Sequence, residues 1–99
     1  MSRPTGARLF WEDEERELQV FHGDAVTFME QVRWGAFGSV ITDPPYLRKF
    51  LPLYGKTAEE ASRFLPPGGS LLAIVPHFAL PEVMAQVGEH LKYRWTFAM

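Results

Sequence analysis

The stretch Ser39-Val40-Ile41-Thr42-Asp43-Pro44-Pro45-Tyr46 decides how the chain is read. Ser39 to Thr42 are small, apolar or β-branched, and the turn-forming Gly35-Ala36-Phe37-Gly38 precedes them. That pattern predicts a short strand buried within a parallel sheet. Two prolines then end it. Neither can donate a ladder hydrogen bond and both fix φ, so Asp43 is held extended at the strand's carboxyl end, with Tyr46 just beyond. Open α/β sheets keep their ligand sites at that end.

A carboxylate, a proline-locked backbone and an aromatic ring together suit the exocyclic amine of adenine or cytosine. That nitrogen is a poor nucleophile, because its lone pair is conjugated with the ring. Asp43 and the Pro44 carbonyl can each accept an N–H hydrogen bond from it, drawing the nitrogen toward tetrahedral geometry and freeing the lone pair. Tyr46 offers a stacking face for a flipped-out base, a contact worth ~1–3 kcal/mol. Removing one preorganised electrostatic contact of this kind costs on the order of 10²–10³ in rate. A Pro-Pro turn that simply caps a strand is the plain structural alternative.

Working outward toward the N-terminus, residues 1–7 read as a loose end. Arg8-Leu9-Phe10-Trp11 and Glu17-Leu18-Gln19-Val20-Phe21-His22 flank the charged run Glu12-Asp13-Glu14-Glu15-Arg16. The pattern predicts an edge segment, a solvated turn and a strand. Gly23 and Asp24 end that strand. Val26, Met29 and Val32 follow at i, i+3 and i+6, which places a short amphipathic helix there with Asp24 as its N-cap.

On the other side of the central stretch, Arg48 and Lys49 make a local basic step, either an ordinary exposed pair or a contact for a phosphate. A helix follows, from Pro52 or Thr57 to Leu65, with Leu53, Tyr54, Ala58, Ala61 and Leu65 on one face and Glu59 placed to pair with Arg63. Thr57 and Glu60 match a capping box, and Gly55 weakens the longer version, so the later start is favoured. Pro66-Pro67-Gly68-Gly69 ends it. Ser70-Leu71-Leu72-Ala73-Ile74-Val75 is a continuous apolar run of the kind buried on both faces of a parallel sheet. Pro76 and His77 close it, and a solvent-facing loop is the plainer place for His77 than a pocket wall. Leu80, Val83, Met84, Val87 and Leu91 keep helical period as core, with Pro81 in the first turn. Tyr93-Arg94-Trp95-Thr96-Phe97 alternates as a last strand.

Strand and helix thus alternate along the chain, which predicts an α/β three-layer sandwich with a mostly parallel sheet. Ninety-nine residues, 46% hydrophobic and 22% charged, make one small domain with a real core. Ten basic against twelve acidic residues leave a net charge of −2, which argues against this chain alone gripping a long run of phosphates. It has no cysteine, hence no disulfide framework and no thiolate metal site. There is no apolar run of about 18 residues and no apolar leader near Arg3, Pro4, Gly6 and Arg8, so a cytoplasmic protein without membrane contact is expected.

Asp43-Pro44-Pro45-Tyr46 resembles the catalytic motif of amino-group DNA methyltransferases, the prokaryotic and phage site-specific enzymes of restriction-modification type that use S-adenosyl-L-methionine. Similar blocks occur in the same order in several of them: Trp11-Glu12-Asp13, His22-Gly23-Asp24-Ala25, Thr42 to Tyr46, and Leu65-Pro66-Pro67-Gly68-Gly69. The resemblance implies a Rossmann-like fold and methyl transfer to the exocyclic amine of adenine or cytosine in DNA. It implies Asp43, Pro44, Pro45 and Tyr46 as catalytic residues acting on a flipped base. Gly23 and Asp24 are implied as cofactor-binding residues together with Asp43, Asp24 accepting a hydrogen bond from the cofactor's adenine amine. Both aspartates are then expected on one rim of the sheet.

The chain also departs from the family pattern. The glycine-rich strand-to-helix turn that holds the methionine end of the cofactor has no match: Gly35 and Gly38 precede a strand, and Gly68 and Gly69 follow a helix. The resemblance therefore implies a permuted arrangement, in which residues 1–99 are the catalytic half of a methyltransferase domain. The cofactor half would be encoded beyond Met99, and the target-recognition region has no match in these residues either. A second expectation of another class is a non-catalytic remnant or interaction module, its sheet completed by another chain or by a downstream segment.

Overall fold

The computed structural model describes residues 7–94 and 96. The chain divides into two compact units, Met1–Arg33 and Trp34–Met99.

The first unit is a hairpin with one short helix. Strands β1 (Ala7–Asp13) and β2 (Leu18–Gly23) pair antiparallel, as they must, because the four residues 14–17 between them are too few for a crossover. Asp13 shapes the turn: its carboxylate accepts the Arg16 N–H at 3.1 Å and pairs with the Arg16 guanidinium at 3.4 Å. Glu17 closes it at φ 57°, donating its N–H to the Glu14 carbonyl at 3.2 Å. The register sets Leu9 opposite Phe21 and Trp11 opposite Val20, which leaves Phe10 as a bulge, 77% exposed. Helix α1 (Ala25–Glu30) ends two residues before Val32, which lies in the following turn. Phe28 of α1 packs against Phe21 with ring centroids 5.2 Å apart.

The second unit is a βαβ motif with a second helix. Strand β3 (Ser39–Thr42) pairs parallel with β4 (Ser70–Ala73), Ser39 opposite Ser70 and Thr42 opposite Ala73. Helix α2 (Pro52–Phe64) makes the connection, and helix α3 (Leu80–Gly88) follows β4 and packs on α2. Short 3-10 turns at Arg48–Phe50 and His77–Ala79 lead into the two helices. The core is built of Leu51, Tyr54, Ala79 and Val83, with Ala73, Val75 and Val87 packed against it. Ala58, Ala61 and Phe64 extend the buried stripe of α2.

Helix α2 takes the earlier of the two expected starts, at Pro52. Proline suits the first turn because its missing N–H would be unbonded there anyway. Thr57 and Glu60 do not form a capping box: both are buried, and Glu60 is held by Lys56 at 3.6 Å and Arg63 at 3.1 Å. Gly55 is where α3 comes closest. Its N–H donates to the Gln86 side-chain oxygen at 3.2 Å, and a Cβ there would stand 3.1 Å from that same oxygen.

The expected three-layer sandwich with a mostly parallel, Rossmann-like sheet does not form. Among the described residues two separate two-stranded sheets replace it, one antiparallel and one parallel. Among the described residues helices also cover only one face of the parallel pair. Ala73 and Val75 turn into the core, whereas Ile41 is 75% and Leu72 54% exposed, so burial on both faces of β3 and β4 is corrected to burial on one. Strand β4 stops at Ala73 instead of Val75, and α3 at Gly88 instead of Leu91. Tyr93, Arg94 and Thr96 carry no strand, and Trp95 and Phe97 lie outside the described residues.

Candidate functional site

Asp43 follows β3 directly, where the chain leaves the parallel ladder at its carboxyl end. Pro44 is buried and anchors the loop, while Asp43, Pro45 and Tyr46 are exposed. Proline at 44 and 45 fixes two successive φ angles, so the direction in which Asp43 and Tyr46 emerge is set by the backbone. The Tyr46 hydroxyl donates to the Asp43 carboxylate. The four implied catalytic residues therefore form one loop in which the acid and the aromatic ring hold each other.

The electrostatics follow from that bond. The hydrogen bond to Asp43 pushes the Tyr46 phenol above its ordinary pKa of 10, helped by partial desolvation and by the nearby carboxylate charge. Tyr46 is thus a neutral donor at physiological pH. Behind the loop stands Tyr54 of α2, only 1% exposed, whose hydroxyl donates to the Ile74 carbonyl at 2.7 Å. Burial, and then the charge of Asp43, raise its pKa as well.

The two cations after the loop have local partners. Arg48 reaches Glu82 at 3.5 Å and lies 5.2 Å from the Phe78 ring centroid, and Lys49 lies 5.1 Å from that of Phe50. Arg48 is two-thirds exposed in spite of this, so a phosphate can compete for it. His77 is exposed at the start of its 3-10 turn, in the place its sequence context suggested.

Gly23 and Asp24 belong to the first unit. Asp24 caps α1, accepting the Thr27 N–H at 2.9 Å. With Gly23, Ala7, Phe21, Ala25, Phe28 and Met29 it lines an open hollow of about 280 Å³. Ligand pockets begin at ~300 Å³, so the hollow suits one small ring system. Two aromatic walls, a thioether and a carboxylate at the rim match the needs of an adenine: apolar faces and an acceptor for its amine. Among the described residues no glycine-rich turn follows a strand: Gly35 and Gly68, at φ 78° and 88°, lie in turns that precede β3 and β4. Asp24 and Asp43 do not share the rim of one sheet, because β2 and β3 belong to different sheets.

Tyr54 was legible in the sequence only as a core position. Its polar role had a signal nonetheless: a proline placed just beyond a parallel strand leaves a neighbouring carbonyl without its ladder donor. Among the described residues no group of three His, Cys, Asp or Glu side chains converges to hold a metal ion, and no helix is long and apolar enough to cross a membrane. Comparison with protein-family models, with curated proteins and with solved structures finds no match to this chain.

Proposed function

We propose that residues 43–46 are the amine-binding loop of an S-adenosyl-L-methionine-dependent DNA methyltransferase acting on the exocyclic amine of adenine or cytosine. One observation carries this reading: a carboxylate and a tyrosine ring, both exposed and bonded to one another, are fixed by two prolines at the carboxyl end of a parallel strand. An extruded base stacks on Tyr46, and its amine donates to Asp43 and to the Pro44 carbonyl. For that the base shares or displaces the Tyr46 hydroxyl at the carboxylate. The cofactor would supply the methyl group; within the first unit Gly23, Asp24, Phe21 and Phe28 are the residues suited to its adenine end, and within the second Asp43 is the acceptor for the amine.

The test is Asp43→Ala in the chain extended by the sequence encoded beside it. Transfer of labelled methyl groups to DNA is expected to fall ~10²–10³-fold in kcat with KM for DNA little changed, since the contact matters most in the transition state. Near-normal turnover would reduce the loop to a strand cap.

A second reading has its own observation. Among the described residues strand β3 pairs on one edge only, and Ile41 and Leu72 leave an apolar face open, features that suit a module whose sheet is completed by another chain. Binding of a partner by an Asp43→Ala variant as tightly as by the wild type, with no transfer by either, would favour this module over the enzyme.

A further inference from the structure

In a parallel ladder each residue that donates its N–H to one carbonyl offers its own carbonyl to the N–H two residues further along the partner strand. The Ile74 N–H donates to the Thr42 carbonyl at 3.0 Å, so the Ile74 carbonyl is due to accept from residue 44. Residue 44 is proline, which has no N–H. A carbonyl left without a donor beside a buried core is costly, and a substitute is needed. The Tyr54 hydroxyl provides it at 2.7 Å, from a side chain that is otherwise 1% exposed.

We propose that Tyr54 is a positioning residue for Asp43: its hydroxyl replaces the ladder donor that Pro44 removes and so fixes the end of β4 against the peptide that carries Asp43. The inference rests on the methyltransferase reading for its catalytic consequence, but the hydrogen-bond substitution stands apart from it. The order of contacts is Tyr54 to Ile74, Ile74 to Thr42, and Thr42 to Asp43 through the chain. Pro44 gives the loop its rigid exit and Tyr54 makes good the bond that this exit removes. The shared influence of Asp43 on the titration of Tyr46 and Tyr54 fits the same neighbourhood.

The experiment is a double-mutant cycle on the whole chain with Tyr54→Phe, Pro44→Ala and both together, read by amide hydrogen exchange. Tyr54→Phe keeps the ring in the core and is expected to speed exchange of the Ile74 amide about tenfold relative to Ala58 and Ala61 in α2. Adding Pro44→Ala supplies an N–H to the Ile74 carbonyl and is expected to restore Ile74 to within about threefold of wild type. A merely space-filling tyrosine would give no such rescue. If Tyr54→Phe does not fold, recovery of folding in the double variant supports the proposal and failure to recover overturns it. Unchanged Ile74 exchange in Tyr54→Phe, or equal loss with and without Pro44→Ala, also overturns it. In the extended chain, Tyr54→Phe is expected to lower kcat about tenfold or more at unchanged KM for DNA, the sign of a misplaced group. Full turnover together with raised Ile74 exchange would remove the positioning role and leave the hydrogen bond. Lack of transfer by the wild-type extended chain would refute the methyltransferase reading and not the exchange result.

Discussion

The Tyr46 hydroxyl bound to the Asp43 carboxylate sets both the resting state of the loop and its response to pH. Raised folded-state values for Tyr46 and Tyr54 mean that each phenol's contribution to stability is fully present below pH 10. It is lost as pH rises through the raised folded values, because the folded state holds its proton more tightly than the unfolded chain. Stability is therefore expected to hold flat on approaching pH 10 and to decline beyond it, followed by chemical denaturation at a series of alkaline pH values. Tyr46→Phe should remove part of that alkaline dependence, and a pH profile unchanged by the substitution would show that the bond does not persist in solution. The residue types of this loop were legible in the sequence: an acid, two prolines and an aromatic ring at the end of a strand. Their mutual hydrogen bond was not, because an i, i+3 contact across two prolines depends on side-chain rotamers that a sequence pattern does not specify.

At the scale of elements, the packing of α2 against α3 bears on why the helix takes the earlier start at Pro52 and not the favoured one at Thr57. Thr57 and Glu60 have the spacing of a capping box, yet both are buried in the helix interior, with Lys56 and Arg63 holding Glu60. A cap depends on free backbone donors, and those lie a turn earlier, at the Pro52 start. There Gln86 of α3 accepts the Gly55 N–H at 3.2 Å. Gln86→Ala should then cost ~0.5–1.5 kcal/mol, the usual net worth of one such bond. In a chain of this size that is a fall in Tm of about 4–8 °C per kcal/mol, measurable by calorimetry. A variant as stable as the parent would mean that water serves the Gly55 donor equally well. Gly55 reads in the sequence as a helix weakener, and only the approach of α3 explains its place there.

At the scale of the molecule, the two sheets have unpaired edges among the described residues, and the parallel one has an open apolar face at Ile41 and Leu72. Such a surface is a template for association. Sedimentation is expected to show concentration-dependent self-association in the micromolar range, reduced by Ile41→Thr with Leu72→Thr; a monomer at all concentrations would show that the face is tolerated in water. Hydropathy periodicity and turn chemistry in the sequence by themselves determined the order of elements from β1 to α3, the charged turn between the first two, the proline stop after Thr42 and the Asp24 cap, because each is settled by residues within a few positions of one another. Which strands share a sheet was decided only by the tertiary structure. An apolar strand carries the same pattern whether one face or both are covered, and its backbone donors do not specify their partner. The pairing of β3 with β4, the exposure of Ile41 and the use of Tyr54 in place of the Pro44 N–H all arise from contacts between segments far apart in the chain.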